Sequence, residues 1–213
     1  MRHPLDVRDI GRVSYEQCLE LQRKLVEERK EGTIRDTLLL VEHDSVFTLG
    51  RRKTSPANVV DAGDIPVVEV ERGGDVTWHG PGQIVAYPIF KLREDERDLH
   101  KVLRKLEDAL IRVLAVVGLE GGRRENHTGV WCQGKKLVSV GVAVKGWVTY
   151  HGIALNVDCD MGVFERINPC GLDAEVMSSL AELGASSLPP EELRALVAME
   201  IARSFGRRFP RGV

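Results

Sequence analysis

Apolar residues follow two different spacings along the chain, and these spacings predict helices and strands. A repeat of three to four residues predicts helices, and consecutive or alternating apolar residues predict strands. The predicted helices span residues 14–32, 98–117 and 189–205, and the predicted strands span residues 37–42, 45–50, 67–70, 84–90, 128–132, 136–144 and 147–157. Ser14 and Gln17 have the spacing of a capping box at the start of the first helix.

The order of these elements predicts the fold class. Strands joined by hairpins follow the second helix, with Gly134-Lys135 and Lys145-Gly146 as the predicted turns. Regular alternation of strand and helix is missing, so a purely parallel sheet is not expected. We predict an α+β (α/β) fold, a mixed β-sheet with helices packed on one face, in a single domain of residues 1–213.

Overall charge argues against one broad class of partner. The chain has 30 Lys and Arg against 32 Asp and Glu, a formal charge of −2 at pH 7. A protein with this balance does not neutralise phosphates as a whole, so we expect no nucleic-acid partner. No apolar run approaches the ~18 residues that cross a bilayer, and no signal segment opens the sequence. We therefore expect a soluble cytoplasmic protein that does not contact the membrane.

The context of Cys170 separates it from the other cysteines. Cys18, Cys132 and Cys159 lie in helix or strand patterns, whereas Cys170 lies in the turn Asn168-Pro169-Cys170-Gly171. In the cytoplasm all are expected to be thiols. A thiol is nucleophilic as its thiolate, which needs a cation or a base nearby. From its position alone, Cys170 is equally well interpreted as a nucleophile or as an inert turn residue.

Cofactor motifs are missing from the sequence. The cysteines and histidines include no C-x-x-C, H-x-x-x-H or H-E-x-x-H spacing, so we expect no metal. Gly73-Gly74 is not followed by the G-K-[ST] of a phosphate-binding loop, and a strand rather than a helix follows Gly80-Pro81-Gly82. We expect no nucleotide and no other cofactor.

Glycines are concentrated in residues 72–83, between two predicted strands. Glycine lets a backbone approach a ligand closely or adopt positive φ. This glycine-rich segment is therefore predicted to be a loop that contacts a ligand, although a tight turn would use the same residues. The strand over residues 150–157 contains His151-Gly152, which predicts either a bulge or a second edge facing the same ligand.

Four motifs together resemble the octanoyltransferases of lipoate synthesis. The glycine-rich segment extended to Tyr87 matches the pattern R-G-G-x-x-T-[aromatic]-H-x-x-G-Q-x-x-x-Y. Residues 136–141, 151–156 and 167–171 supply the other motifs, in the order of the family. The resemblance covers roughly residues 38–183. It implies a domain similar to the catalytic domains of lipoate and biotin protein ligases.

The resemblance also implies the catalytic residues. In the family a cysteine carries the octanoyl group as a thioester and a lysine tunes it, which corresponds here to Cys170 and Lys136. Lys136 directly precedes the run Leu-Val-Ser-Val-Gly, whereas Lys135 is expected to be a solvated turn residue. As an ammonium Lys136 would favour the thiolate, and as an amine it would take the thiol proton.

The same resemblance implies an acyl-binding wall. Trp78 departs slightly from the family, which often has a smaller or phenolic residue there, and the run Val-Ser-Val replaces similar small apolar residues. The implied substrate-binding residues are Arg72, Gly73, Gly74, Asp75, Val76, Thr77, Trp78, His79, Ser139, Val140, Gly141, Gly152, Ile153 and Ala154.

Partners follow from the resemblance as well. The acyl donor would be octanoyl-acyl carrier protein, and the acceptors would be the lipoyl domains of 2-oxoacid dehydrogenases and the glycine cleavage H protein. Both are typically acidic, so Arg51, Arg52 and Lys53 are candidates for a basic rim. We expect a monomer. Two alternatives stay open: an ATP-dependent lipoate or biotin ligase, and a non-catalytic module that binds an acyl chain or an acylated carrier protein.

Overall fold

The computed structural model describes residues 3–168 and 176–209. Within those residues the helices are α1 (Tyr15–Glu31), α2 (Leu99–Val116) and α3 (Pro190–Ser204). The strands are β1 (His3–Val13), β2 (Asp36–His43), β3 (Val46–Leu49), β4 (Val67–Glu69), β5 (Thr77–His79), β6 (Gln83–Ile89), β7 (Gly122–Arg124), β8 (His127–Cys132), β9 (Lys135–Lys145), β10 (Val148–Asn156) and β11 (Arg207–Arg208). Short 3-10 helices span Pro56–Asn58, Glu94–Glu96 and Met161–Arg166.

The helices confirm the sequence prediction, including the cap of α1. The Ser14 side chain accepts a hydrogen bond from the Gln17 backbone at 3.3 Å, and Gly32 ends the helix with a φ of 81°. Such a left-handed residue after the last turn is the usual helix stop, because glycine adopts it without strain. Among the described residues, no helix is both long and apolar enough to cross a membrane.

Most of the strands form one central sheet in the order β11–β1–β2–β6–β10–β9–β8–β7. Strand β1 runs parallel to β11 and to β2. The remaining neighbours, from β2 and β6 to β8 and β7, are antiparallel. The predicted mixed sheet is therefore confirmed.

Strand β1 was not predicted from the sequence. Its residues alternate poorly in hydrophobicity: Leu5 is buried, while Asp6 and Arg8 form an ion pair at 2.7 Å. Main-chain pairing with β2 holds the strand, in a parallel register from Leu5↔Asp36 to Val13↔His43. Because backbone hydrogen bonds do not depend on side-chain type, this strand leaves little trace in the apolar pattern.

Helices cover both faces of the central sheet, so the expectation that they pack on one face is wrong. In β2, Leu38 and Leu40 pack in the core with α2 and α3, while Leu39 and Val41 pack in the core with α1. Successive side chains of a strand point to opposite faces. A strand that is apolar at every position therefore needs cover on both sides.

A second sheet places β3 between β4 and β5. Strand β3 pairs in parallel with β4 and antiparallel with β5. Because β5 lies within residues 72–83, part of the segment predicted as a loop is a strand. Its Trp78 packs with Phe47 and Phe164 in a separate apolar core.

Both predicted hairpins are present, but each turn is displaced by one residue. The turns are Gln133-Gly134 and Gly146-Trp147, with φ values of 50° and 79° and of 57° and 62°. Two-residue hairpin turns of this type need positive φ at both positions, which matches the twist of the flanking strands. Glycine meets that need at one position, and the backbone of Gln133 or Trp147 carries the strain at the other.

Candidate active site

A cavity of ≈ 160 Å³ lies where the second sheet meets β9 and β10. Arg52, Leu99, Asn126, His127 and Thr128 line its more exposed end, which we call the cavity mouth. The predicted site residues that line the cavity are Arg72, Gly73, Gly74, Asp75, Val76, Thr77, His79, Lys136, Ser139, Val140, Gly141, Gly152, Ile153 and Ala154.

Glycine allows the glycine-rich segment to lie against β9. The Gly73 backbone N–H donates to the Val142 carbonyl at 3.1 Å. A Cβ on Gly141 would lie 3.1 Å from the Gly73 oxygen and 3.3 Å from Arg72 Cδ. These separations are tighter than ordinary contacts, so any larger residue at 141 would push the segment away from the strand.

The charged residues of the glycine-rich segment anchor it to neighbouring elements and to its own backbone. Arg72 is buried and donates to the Thr48 carbonyl and hydroxyl oxygens, both at 2.8 Å. The Asp75 carboxylate accepts from Asn58 Nδ2 at 2.9 Å and from the Val76 backbone N–H at 2.8 Å. Buried charges persist only where hydrogen bonds compensate their desolvation. These residues therefore keep the cavity wall rigid.

Strand β5 directs alternate side chains toward and away from the cavity. Thr77 and His79 line it, whereas the Trp78 ring packs against Phe164 with ring centroids 5.5 Å apart. Trp78 is the one predicted binding residue that does not line the cavity, and the period of two along the strand explains why.

A cluster of aromatic rings lies at the buried side of the cavity. Its members, which we call the ring cluster, are Tyr15, His43, His79, Tyr87 and His151. The Tyr15 and His79 rings stack at a centroid distance of 5.8 Å. His43 contacts the Val13 carbonyl through Nδ1 at 3.0 Å and the Tyr87 hydroxyl through Nε2 at 2.9 Å. The carbonyl can only accept, so Nδ1 carries the proton and Nε2 accepts from Tyr87.

Burial keeps the ring cluster uncharged at neutral pH. It lowers the pKa of His43, lowers the pKa of His79 strongly with help from His43 and Arg72, and lowers the pKa of His151 to about 4. It also raises the pKa of Tyr15 and Tyr87. Desolvation disfavours the charged form of each group. The cluster is therefore polar but neutral.

His151 is held in an unusual backbone conformation. Its φ is 55°, which few residues other than glycine adopt. The Gln22 side-chain oxygen accepts from its backbone N–H at 2.8 Å, and Nδ1 lies 3.4 Å from the Tyr15 hydroxyl. Its Nε2 lies 3.7 Å from a Glu71 carboxylate oxygen, beyond hydrogen-bonding distance. Contacts from α1 thus fix the imidazole beside Tyr15.

Lys136 lies near the mouth end of the cavity, and its neighbour Lys135 does not line it. Lys136 is 6% exposed, while Lys135 is exposed opposite Cys132. The Lys136 ammonium lies 5.9 Å from the centroid of the Trp131 ring. A Cβ on Gly129 would lie 2.7 Å from Lys136 Cε, so the glycine leaves room for the lysine stem. The structure thus distinguishes Lys136, which lines the cavity, from Lys135, which does not, whereas the sequence distinguished them only by the motif.

Cys170 lies outside the described residues, but the described residues on either side of that gap are anchored beside the cavity. On one side, the Asn168 backbone N–H donates to the Asn58 carbonyl at 2.8 Å, and Asn58 itself contacts Asp75. On the other side, the Ser178 backbone N–H donates to the Lys136 carbonyl at 3.1 Å. Asp75 and Lys136 both line the cavity.

Buried amides connect the inner part of the site with the segment that follows the gap. Gln83 contacts His79 Nδ1 at 3.2 Å and donates to Asn156 Oδ1 at 2.9 Å. Asn156 Nδ2 in turn donates to the Ser178 carbonyl at 2.9 Å. These side chains explain the polar residues at the ends of two motifs: they hold separate elements in one arrangement.

Comparison with known proteins identifies the family. Residues 14–202 match the model of the lipoyl protein ligase A/B catalytic domain. An octanoyltransferase of Geobacter metallireducens is 44% identical over 204 residues, which cover 96% of this chain and 95% of that protein. An octanoyltransferase of Mycobacterium tuberculosis is 44% identical over 212 residues, covering 98% and 90%. The chain belongs to the octanoyltransferase family. It is therefore an acyltransferase.

Solved structures support the predicted scaffold of this octanoyltransferase. A lipoate-protein ligase A bound with ATP superimposes with a TM-score of 0.74 at 14% identity, covering 99% of this chain and 88% of that one. A biotin protein ligase from Aquifex aeolicus gives 0.53 at 14% identity, covering 95% and 68%. At these identities the likeness concerns the fold, and the predicted fold is confirmed.

Several cavity residues of this octanoyltransferase were not predicted as site residues from the sequence. Tyr15 and Tyr87 line the cavity, and His43 supports them from behind. Tyr87 belongs to a motif that the sequence did reveal, whereas Tyr15 and His43 carry no local signal.

Of the predicted basic rim, Arg52 lines the mouth and Arg51 and Lys53 do not. Within the described residues, no group of three or more His, Cys, Asp or Glu side chains could hold a metal ion.

Proposed function

We propose that this octanoyltransferase moves an octanoyl group from octanoyl-acyl carrier protein to a lysine ε-amine on a lipoyl domain, through a thioester on Cys170. The acceptors are the lipoyl domains of 2-oxoacid dehydrogenases and the glycine cleavage H protein, and the reaction is the first step of endogenous protein lipoylation. The residues of the glycine-rich segment and of β9 and β10 that line the cavity bind the acyl chain.

One observation carries the proposal: a buried lysine that lines the cavity also anchors one end of the segment that contains Cys170. Lys136 itself holds one end through its carbonyl, and Asn58 holds the other. Cys170 is two residues from Asn168 in the sequence, and the described residues on both sides of the gap contact residues at the cavity wall. The spacing therefore supports a pairing of Cys170 with Lys136.

The first half-reaction transfers the acyl group to the enzyme. The Cys170 thiolate attacks the donor carbonyl, forming a new carbon–sulfur bond as the bond to the carrier's thiol breaks. Lys136 favours the thiolate as an ammonium or removes its proton as an amine. The departing carrier thiolate takes up a proton, so the donor leaves as a thiol.

The second half-reaction forms the amide. The neutral ε-amine of the acceptor lysine attacks the acyl-enzyme, a carbon–nitrogen bond forms, and the bond to Cys170 breaks. The proton lost by the amine returns to the Cys170–Lys136 pair. Exchange between thioesters is nearly isoenergetic, and conversion to an amide is downhill, so the reaction needs no nucleotide.

Intact mass spectrometry after incubation with octanoyl-acyl carrier protein tests this route. We expect the wild-type chain to gain the mass of one octanoyl group and Cys170→Ala to gain nothing. Cys159→Ala is the matched control, because Cys159 is half-buried and burial raises its pKa to about 12. This control should be acylated as the wild type is. An unmodified wild type, or an equally modified Cys170→Ala, overturns the proposal.

The alternatives give different results in the same setting. A ligase of the same fold would form an acyl-adenylate from ATP and free lipoate, and we expect none. A module that only binds acyl chains would leave Cys170 with the alkylation rate of an ordinary thiol and would transfer nothing to a lipoyl domain. We expect faster alkylation and complete transfer.

We also propose that the catalytic unit is a single domain of residues 1–213, acting as a monomer in the cytoplasm. Strands from both halves of the chain share the central sheet, where β1, β2 and β6 lie between β11 and β10, which supports one folding unit. Sedimentation of the full chain at micromolar concentration should give the mass of one copy, and a dimer would contradict this part of the proposal.

A further inference from the structure

The residues of strand β9 allow distances along the cavity to be measured, from Lys136 to the ring cluster. A Cβ on Gly129 would lie 2.7 Å from Lys136 Cε and 2.4 Å from the Val138 carbonyl, so the lysine stem leans along β9 toward Val138. Farther along, Gly141 pairs with Gly152 and Val142 pairs with His151. From Val138 to Val142 the strand rises about 13 Å, at about 3.3 Å per residue.

An octanoyl chain fits this scale. Its seven carbon–carbon bonds of about 1.5 Å, at tetrahedral angles, span about 9 Å when extended. With the carbonyl at the Lys136 ammonium, the methyl end lies level with Gly141 and Gly152. Both glycines line the cavity, so backbone without a side chain forms its wall at this level. The next pair along the strand, Val142 and His151, is level with the ring cluster.

The ring of Tyr15 lies at this inner end. Tyr15 is 2% exposed, lines the cavity and stacks on His79. Its hydroxyl lies 3.4 Å from His151 Nδ1, so an atom advancing past Gly141 meets both a rigid ring and a hydrogen-bonded polar group. The position of the ring is fixed because Tyr15 is the first residue of α1, after its Ser14 cap.

We propose that Tyr15 determines acyl-chain length, by closing the cavity one residue beyond the end of an eight-carbon chain. This inference rests on the proposed function. In an open apolar slot, each added methylene would strengthen binding about fourfold. Against Tyr15 the added methylenes find no space, and any displacement of the ring would cost the hydrogen bond to His151.

Chain-length profiles of Tyr15→Leu and the wild type test this role. The leucine side chain is shorter than the tyrosine ring and carries no hydroxyl. We expect the ratio of kcat/KM for decanoyl- over octanoyl-acyl carrier protein to rise about tenfold in this variant. Tyr150→Leu is the matched control: Tyr150 is also buried and packs on His151 at 4.7 Å, but it does not line the cavity. Its ratio should stay within twofold of the wild type.

Calorimetric binding of free octanoic, decanoic and dodecanoic acids keeps this test independent of the transfer reaction. We expect wild-type affinity to fall beyond eight carbons and the Tyr15→Leu optimum to move to ten. A shifted binding optimum supports the role of Tyr15 even if wild type transfers no octanoyl group, which would overturn only the proposed function. Identical length profiles for the wild type and Tyr15→Leu overturn the role of Tyr15.

Tyr15→Phe gives a second test if the leucine variant does not fold. It keeps the ring and removes only the hydroxyl that contacts His151. We expect the decanoyl-to-octanoyl ratio to rise about threefold, with Tyr150→Phe as its control. An unchanged ratio in a folded Tyr15→Phe, as judged by its melting temperature, would then overturn the role assigned to Tyr15.

Discussion

The two ends of the cavity differ in charge: the mouth end is positively charged, and the inner end is neutral. At the mouth end, partial burial and then the positive charges of Arg124, Lys136 and Arg52 lower the pKa of His127, so cations converge there. At the inner end, the ring cluster is polar but neutral, because burial shifts each pKa away from the charged form. The mouth end therefore provides positive charge, and the inner end provides a neutral wall of fixed shape.

This difference indicates how one small cavity can both support the transfer chemistry and select the acyl chain. A thiolate needs a nearby cation, and the mouth end provides Lys136 with Arg52 and Arg124 close to the same histidine. An apolar chain needs a rigid wall without net charge, which favours the end where hydrogen bonds fix neutral rings. Substitutions at the two ends should therefore alter different measurements.

The largest expected effect is at the mouth end. Lys136→Ala removes the proposed partner of the Cys170 thiolate, and we expect kcat/KM to fall about a thousandfold, within the range of general acid–base contributions. Single-turnover acylation followed by mass spectrometry measures the loss directly. Lys135→Ala is the matched control, because Lys135 is exposed and does not line the cavity. Equal losses in the two variants would contradict the assignment of Lys136.

The inner end should dominate the dependence of stability on pH. His43, His79 and His151 have lowered pKa values in the folded chain, so between pH 6.5 and about 4 the unfolded state binds more protons. Stability is complete above the unfolded pKa near 6.5 and is lost as pH falls. Between pH 6.5 and 5.5 we expect a loss of about 1 kcal/mol from His151, whose pKa is lowered to about 4, with further losses from His79 and His43.

Urea unfolding at pH 6.5, 6.0 and 5.5 measures this loss. The window separates the histidines from the carboxylates, because Glu96 has a pKa lowered from 4.5 to about 2 and acts at lower pH. His43→Asn should reduce the slope of this profile, and His100→Asn, at an exposed position in the first turn of α2, serves as its control. A flat profile would mean that the ring cluster accepts protons while folded.

Between the two ends, the approach of the glycine-rich segment to β9 should show an intermediate effect. Gly141→Ala places a methyl 3.1 Å from the Gly73 oxygen, so the segment must shift by a few tenths of an ångström. We expect kcat/KM for octanoyl transfer to fall about tenfold, since small misplacements of a binding wall reduce rates strongly. In Gly122→Ala the new methyl meets nothing within 4 Å. Wild-type kinetics are expected for this control, and a comparable loss there would contradict the packing argument.

The fold was largely predictable where side chains carry the information. The helices and the hairpins of β8, β9 and β10 left clear apolar periods and turn glycines. Strand β1 did not, because main-chain pairing with β2 holds it. The unbroken apolar run of β2 indicated cover on both faces, but the order of elements alone suggested one.

The two ends of the site also differed in how predictable they were. The wall of the glycine-rich segment and Lys136 belong to local motifs. The ring cluster instead assembles from α1, β2, β5, β6 and β10, so the motifs contain His79, Tyr87 and His151 but do not reveal that these rings meet. Tyr15 and His43 acquire their roles only when α1 packs over the central sheet. Trp78 shows the converse: it belongs to a motif, yet the period of the strand turns it away from the cavity.

The smallest expected effect concerns the outer rim of the mouth. Arg52 is exposed and lines the cavity, and Arg124 lies over the Trp131 ring at 5.0 Å. If these cations attract an acidic carrier protein, Arg52→Ser should raise the KM for octanoyl-acyl carrier protein about threefold at low salt. In 0.5 M salt the KM should hardly change, because salt screens electrostatic attraction beyond a few ångströms. Arg12→Ser is the control, since β2, β6 and β10 separate its strand from β9. If the wild-type KM for octanoyl-acyl carrier protein does not depend on salt, the cations at the mouth do not attract the carrier protein and act only around Lys136. The contrast between the two ends of the cavity would then concern the reaction and not the capture of the partner.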